Sequence, residues 1–158
     1  MKIIRSNVIL DDDRINVLVK ESEAEYGEPN GKLESPNIIV DVLNTLFHLN
    51  KKAEEYLYLI GMTARNHPIS IFEVSHGTSS EAVVSGREIM VRTLLCGASN
   101  IVVVHNHPSG DCTPSKEDIE TTKRILMVCK LMDIELVDHI IIGADRFFSF
   151  KANNMIFT

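Results

Sequence analysis

Apolar and polar positions along the chain alternate between two periods, and the changes of period mark out elements. Ser35-Pro36 supplies an N-cap and a first-turn proline, and Ile39, Val42, Leu43, Leu46 and Phe47 then recur at helical spacing. After Lys51-Lys52, EEYLYLIGM reads as a strand, Thr63 to Pro68 as a turn, and ISIFEVS as its antiparallel partner. Ser85 and Glu88 have capping-box spacing and open a helix to about Cys96, where Gly97 stops it. Ile101 to Val104 are too apolar for a half-exposed strand and predict a central one covered on both faces. A second amphipathic helix runs from Ser115 to about Met132, with Ile119, Ile125, Leu126, Cys129 and Met132 as its stripe. IELVDHIIIG is a further strand, and RFFSF its short hairpin mate. Residues 1–34 differ: a strand from Ile15 to Lys20 leads into an acidic loop near Gly27 to Glu34, an N-terminal extension or edge element. The main domain is then 35–158, an α/β (α+β) fold with a mixed β-sheet flanked by helices.

Composition narrows the class. A chain of 158 residues with 44% apolar and 24% charged content has one domain's worth of core and no run suited to a membrane span. Cys96, Cys112 and Cys129 lack CxxC spacing, and MKIIRSNVILDDDR does not resemble a secretory signal, so a reducing, cytoplasmic setting is expected. A net charge of −6 without a cationic cluster argues against nucleic acid as the main partner.

The chemistry concentrates in IVVVHNHPSGDCTPSKED, which begins at Ile101. Strand alternation puts His105 and His107 on one face, with Cα atoms roughly 6.6 Å apart at about 3.3 Å per residue. They fall where Pro108-Ser109-Gly110 breaks the strand. Asp118 follows on the first turn of the next helix, behind Ser115 at its N-cap. Ser115 and Asp118 by themselves need be no more than a capping pair. Together with two same-face histidines, Asp118 completes a three-ligand site with a position left for water, the pattern of catalytic zinc.

His105-Asn106-His107, seven residues, Ser115, two residues and Asp118 resemble the H-x-H-x7-S-x2-D motif of the JAMM (MPN-plus) metalloprotease superfamily. HNHPSG and LVDHIIIG are similar to its RadC-like branch, with a JAB domain, and the resemblance covers about residues 37 to 152. It implies a cytidine-deaminase-like layout, Zn2+ as cofactor, and a peptide or isopeptide as substrate. His105, His107 and Asp118 would be the zinc ligands, and Ser115 would help hold a tetrahedral oxyanion. The family's general base precedes an apolar strand after the first helix. Glu55 fits that position, with Glu54 beside it, and Glu73 and Glu81 as weaker rivals.

Other residues compete for roles. Cys112 lies between the ligands and reads as a loop residue more readily than as a thiolate ligand. His76 and His139 read as structural or supporting; the resemblance to RadC-like chains, in which a DH pair recurs here, implies that Asp138-His139 supports the site by orienting a ligand. His48 and His67 have no evident partner. A contiguous His-Asn-His is not the dispersed nuclease motif of that spelling, and the H-x-E and P-C-x-x-C deaminase signature is missing. The alternative function is a DNA-repair-associated accessory or binding protein, although residues 1–36 are too short and acidic for the helix-hairpin-helix module of longer RadC chains. A pseudo-enzyme scaffold is the third reading, weakened by the filled motif.

Overall fold

The computed structural model describes residues 1–28, 30–77 and 84–156. Its strands are β1 (Lys2–Leu10), β2 (Asn16–Glu25), β3 (Glu55–Met62), β4 (Pro68–Gly77), β5 (Asn100–Asn106), β6 (Glu135–Ile142) and β7 (Phe147–Ser149). They form one seven-stranded sheet in the order β2-β1-β4-β3-β5-β6-β7. Three helices, α1 (Pro36–Phe47), α2 (Gly86–Cys96) and α3 (Lys116–Leu131), pack on it. β5 runs parallel to β6 and β1 parallel to β4, while the other pairs are antiparallel. The expected mixed sheet with flanking helices is therefore the architecture found.

β5 lies inside the sheet, between β3 and β6, because both its faces are apolar. Ile101 and Val103 pack with Ile89 of α2 and with Ile125 and Cys129 of α3. Val102 and Val104 pack on the other face with Ile39, Val42 and Leu43 of α1. All four β5 side chains are 0% exposed, each adding roughly 1.5–3 kcal/mol of burial before chain entropy is counted. This rigid strand carries the histidines at its end.

The helix signals hold with two differences. Ser85 caps the Glu88 amide at 3.2 Å, but the Glu88 carboxylate does not close a capping box. It binds Arg92 one turn on at 2.7 Å, a charge-assisted bond that outcompetes a neutral amide. Met132 is not on the buried stripe of α3; it caps the helix C-terminus and is 43% exposed. Thr122 takes a buried place on that stripe instead.

The N-terminal segment contains more strand than its pattern indicates. β2 extends past the expected Ile15 to Lys20, and β1 precedes it. β1 joins β4 through Arg5 opposite Ile71, placing the hairpin at the sheet's edge, with Ile3 buried and Ser70 Oγ 2.6 Å from Ser6 Oγ. The β1–β2 register shifts between Arg5 and Ser6, where Glu21 of β2 is left without a partner, so the bulge lies in β2; β1 is masked instead by three successive polar residues, Arg5, Ser6 and Asn7.

Candidate metal centre

β5 ends at Asn106, and His107 continues its direction by donating its amide to the Ile142 carbonyl at 2.9 Å. The chain then turns at Gly110, whose carbonyl accepts from Ala144 N at 3.0 Å. Gly143 permits this approach, since a Cβ there would lie 2.4 Å from the Gly110 oxygen. The turn brings Ser115 and α3 back to the strand end. Both halves of the expected capping box are present: Ser115 Oγ accepts from Asp118 N at 3.1 Å, and Asp118 Oδ2 accepts from Ser115 N at 2.7 Å. Asp118 Oδ2 also accepts from the Ser115 hydroxyl at 2.7 Å. The cap and the candidate ligand are thus one structure, with Oδ2 holding the helix start and Oδ1 turned to His105.

His105 Nε2 lies 3.1 Å from His107 Nε2 and 3.1 Å from Asp118 Oδ1, and the ligand atoms of the three residues lie within 4.8 Å of one another. His107 Nδ1 is 2.7 Å from the Asp111 carbonyl, which can only accept, so the neutral ring keeps its proton there and leaves Nε2 bare. Two nitrogens bound to one zinc at about 2.0–2.1 Å in tetrahedral geometry are about 3.3 Å apart, close to the spacing found. The donor set fits a divalent metal, and this His–His–Asp group can hold one.

Electrostatics carry the same signature. Asp118 acts on His107 by hydrogen bonding and raises its pKa above the ordinary value; burial opposes this, and the Glu55 charge reinforces it. Burial pushes the Asp118 carboxyl up, but His105, His107 and Ser115 together outweigh it and hold the carboxyl well below the usual range. A site that draws positive charge between its donors is one a cation can occupy.

Glu55 reaches the same corner through sheet register. Leu57 pairs with His105 across β3 and β5, so Glu55, two residues earlier, shares the histidine face. The Asn106 amide holds this strand start: Nδ2 donates to the Glu54 carbonyl at 3.0 Å, and Oδ1 accepts from Tyr56 N at 2.8 Å. Glu54 is exposed and off that face. Glu73 is occupied by Arg5, Tyr58 and His76, away from His105 and His107, and Glu81 lies outside the described residues. Ser115 is at the site, its hydroxyl proton directed to Asp118.

The supporting residues divide. His139 is buried against the centre, its Nε2 2.9 Å from His105 Nδ1 and its ring stacked on Phe150 at 4.8 Å. Burial, chiefly, holds its pKa well below the ordinary value. Asp138 does not touch a ligand; it accepts from Ser149 Oγ and Lys151 N, at 2.5 and 3.0 Å, and pins the turn that carries Phe150. Cys112 packs against the α2–α3 core and is not among the grouped donors. His76 stacks on Tyr56, and His67 Nδ1 meets the Gly31 carbonyl, both away from the centre. Thr122 of α3, which the sequence does not single out, is buried in the same cluster with Oγ1 2.6 Å from His139 Nδ1; its one signal is its spacing, one helical turn after Asp118.

The family profile of the RadC-like JAB domain matches residues 33–155. The chain belongs to this family. It is 39% identical over 140 residues to a UPF0758 protein of Clostridium acetobutylicum, covering 88% of this chain and 60% of that relative. A UPF0758 protein of Clostridium perfringens is 38% identical over 125 residues, covering 79% of this chain and 54% of the relative. One from Actinobacillus pleuropneumoniae is 40% identical over 103 residues, or 65% of this chain and 47% of the relative. The chain therefore spans about half the length of the curated relatives it matches. Among the described residues, no helix of this RadC-like domain is long and apolar enough to cross a membrane.

Proposed function

We propose that this RadC-like domain is a zinc-dependent peptidase or isopeptidase acting in the cytoplasm. The observation that carries the reading is the meeting of His105 Nε2, His107 Nε2 and Asp118 Oδ1 beside a carboxylate, Glu55, that is not one of the grouped donors. Zinc held by the three residues would lower the pKa of water toward about 7 and polarise an amide carbonyl. Glu55 takes the proton of the attacking water and returns it to the departing nitrogen, a role that needs a carboxylate free of metal. Ser115 turns its hydroxyl from Asp118 to the oxygen of the tetrahedral species. Asp118 Oδ2 keeps the Ser115 amide as a partner, at 2.7 Å, so the helix start does not come apart when the hydroxyl turns. The three cysteines, free of disulfides, suit the proposed compartment.

The test is elemental analysis of the purified protein and of its His107→Ala variant, followed by a screen of peptide and isopeptide substrates. About one zinc per chain, lost in the variant, together with zinc-dependent cleavage, is the expected result. A metal-free wild type would overturn the reading, as would a loaded wild type that cleaves nothing. Salt-dependent retention on DNA by a protein without cleavage activity would favour the accessory-protein alternative.

A further inference from the structure

We propose that Thr122 and His139 form a buried relay that sets the tautomer of His105 and so presents its Nε2 lone pair to the metal site. The inference rests on reading His105, His107 and Asp118 as ligands, and it assigns Thr122 a positioning role.

Fixed neighbouring atoms decide where each proton sits. Thr122 Oγ1 lies 2.7 Å from the backbone oxygen of Asp118, one helical turn earlier. A carbonyl oxygen has no proton to give, so the Thr122 hydroxyl must donate across that contact. The same Oγ1 lies 2.6 Å from His139 Nδ1. With its one proton already committed, the hydroxyl oxygen can only accept there, and His139 carries its proton on Nδ1. A neutral imidazole has a single N–H, which leaves His139 Nε2 as a bare acceptor. That nitrogen is 2.9 Å from His105 Nδ1, which must then be the donor. His105 Nε2 is left unprotonated, facing His107 Nε2 and Asp118 Oδ1.

Burial makes the relay decisive. Thr122, His139 and His105 are 2%, 1% and 2% exposed, so none can exchange its partner for solvent without opening the core. The opposite tautomer would set two oxygens lone pair to lone pair at the Thr122–Asp118 contact. Through one hydroxyl the relay also couples the ligand on β5 to the helix that carries the ligand Asp118. His107 is set separately, by the Asp111 carbonyl.

The experiment compares wild type with Thr122→Val, which removes the hydroxyl at nearly constant volume, and with Thr122→Ser, which keeps it. Long-range nitrogen–proton correlation spectra of the metal-free proteins report which ring nitrogen of His105 and His139 is protonated. Chelator competition gives the zinc dissociation constant. Wild type and Thr122→Ser should show both rings protonated on Nδ1 and similar affinities. Thr122→Val should lose that pattern at His105 and bind zinc about 10–100-fold more weakly, the usual cost of removing a partner that orients a ligand. A folded Thr122→Val protein with unchanged pattern and affinity overturns the proposal. So does a metal-free wild type whose neutral His105 ring carries its proton on Nε2 instead of Nδ1, whatever the variants do. A wild type that shows the Nδ1 pattern but binds no zinc supports the hydrogen-bond relay and removes the metal reading, so the two failures are distinct.

Discussion

Asn106 grips the backbone on both sides of Glu55, donating to the Glu54 carbonyl at 3.0 Å and accepting from the Tyr56 amide at 2.8 Å. The residue between the two histidines thus holds the strand end that carries the proposed base. Asn106→Leu has similar bulk and removes both bonds. It should lower kcat about 10–100-fold and cost about 1–3 kcal/mol of stability for the orphaned backbone groups. Zinc content should stay at the wild-type level, as measured alongside steady-state kinetics and denaturant unfolding. Unchanged kcat in a variant so destabilised would show that Glu55 needs no such anchor.

Glu55→Gln keeps the shape of the side chain and removes its basicity. Hydrolysis should fall by about 10²–10⁴-fold while zinc stoichiometry is retained. Glu54→Gln, changing an exposed residue off the histidine face, should leave the rate within a factor of about two. A Glu55→Gln protein as fast as wild type would require another base.

pH should act on the empty and the loaded centre in opposite senses. In the metal-free protein Asp118 raises the His107 pKa above 6.5, so stability from this pair is present below pH 6.5 and lost as pH rises through the raised value. Asp118 is held below its ordinary 3.8, so its share is present above that value and lost only in stronger acid. The site's contribution to thermal stability should therefore be greatest between about pH 4 and 6.5. Zinc requires a neutral His107, so affinity should drop as pH falls through the raised pKa, by about tenfold per unit for one displaced proton. Calorimetry with chelator present and zinc titrations at several pH values measure both. A His107-dependent rise in chelated-protein Tm from pH 6 to 8 would contradict the assignment.

Gly143→Ala tests the loop that sets His107. The added Cβ would meet the Gly110 oxygen at 2.4 Å, and backbone on both sides leaves no flexible group to yield. The loop should shift, taking with it the Asp111 carbonyl that fixes the His107 ring. Destabilisation of about 1–3 kcal/mol and zinc binding about tenfold weaker are expected, from thermal unfolding and chelator competition. An unshifted affinity would mean that the ring is held without Asp111.

Much of the centre was legible in the chain because it is local. Four consecutive β-branched or aliphatic residues predict a strand buried on both faces, and alternation alone puts His105 and His107 on one side. Ser115 and Asp118 at capping spacing start a helix within a short loop of that strand, which bounds how far the carboxylate can lie from the imidazoles. The β1 strand was hidden because Arg5, Ser6 and Asn7 set three polar residues in succession and break the alternation. Thr122 was hidden because a threonine on a helix's buried side carries no chemical signal until its partner is known.

The sequence by itself determined the local elements, the donor types and their spacing, since helix caps and strand pleat act over a few residues. Only the tertiary structure decided that Glu55 stands beside His107, because that follows from β3–β5 register across roughly fifty positions of chain, selected by burial of both sheet faces. The same holds for His139 behind His105. Parallel pairing of β6 with β5 and the packing of α3 against β6 bring Thr122, His139 and His105 into one hydrogen-bonded line, a proximity no short window of residues contains.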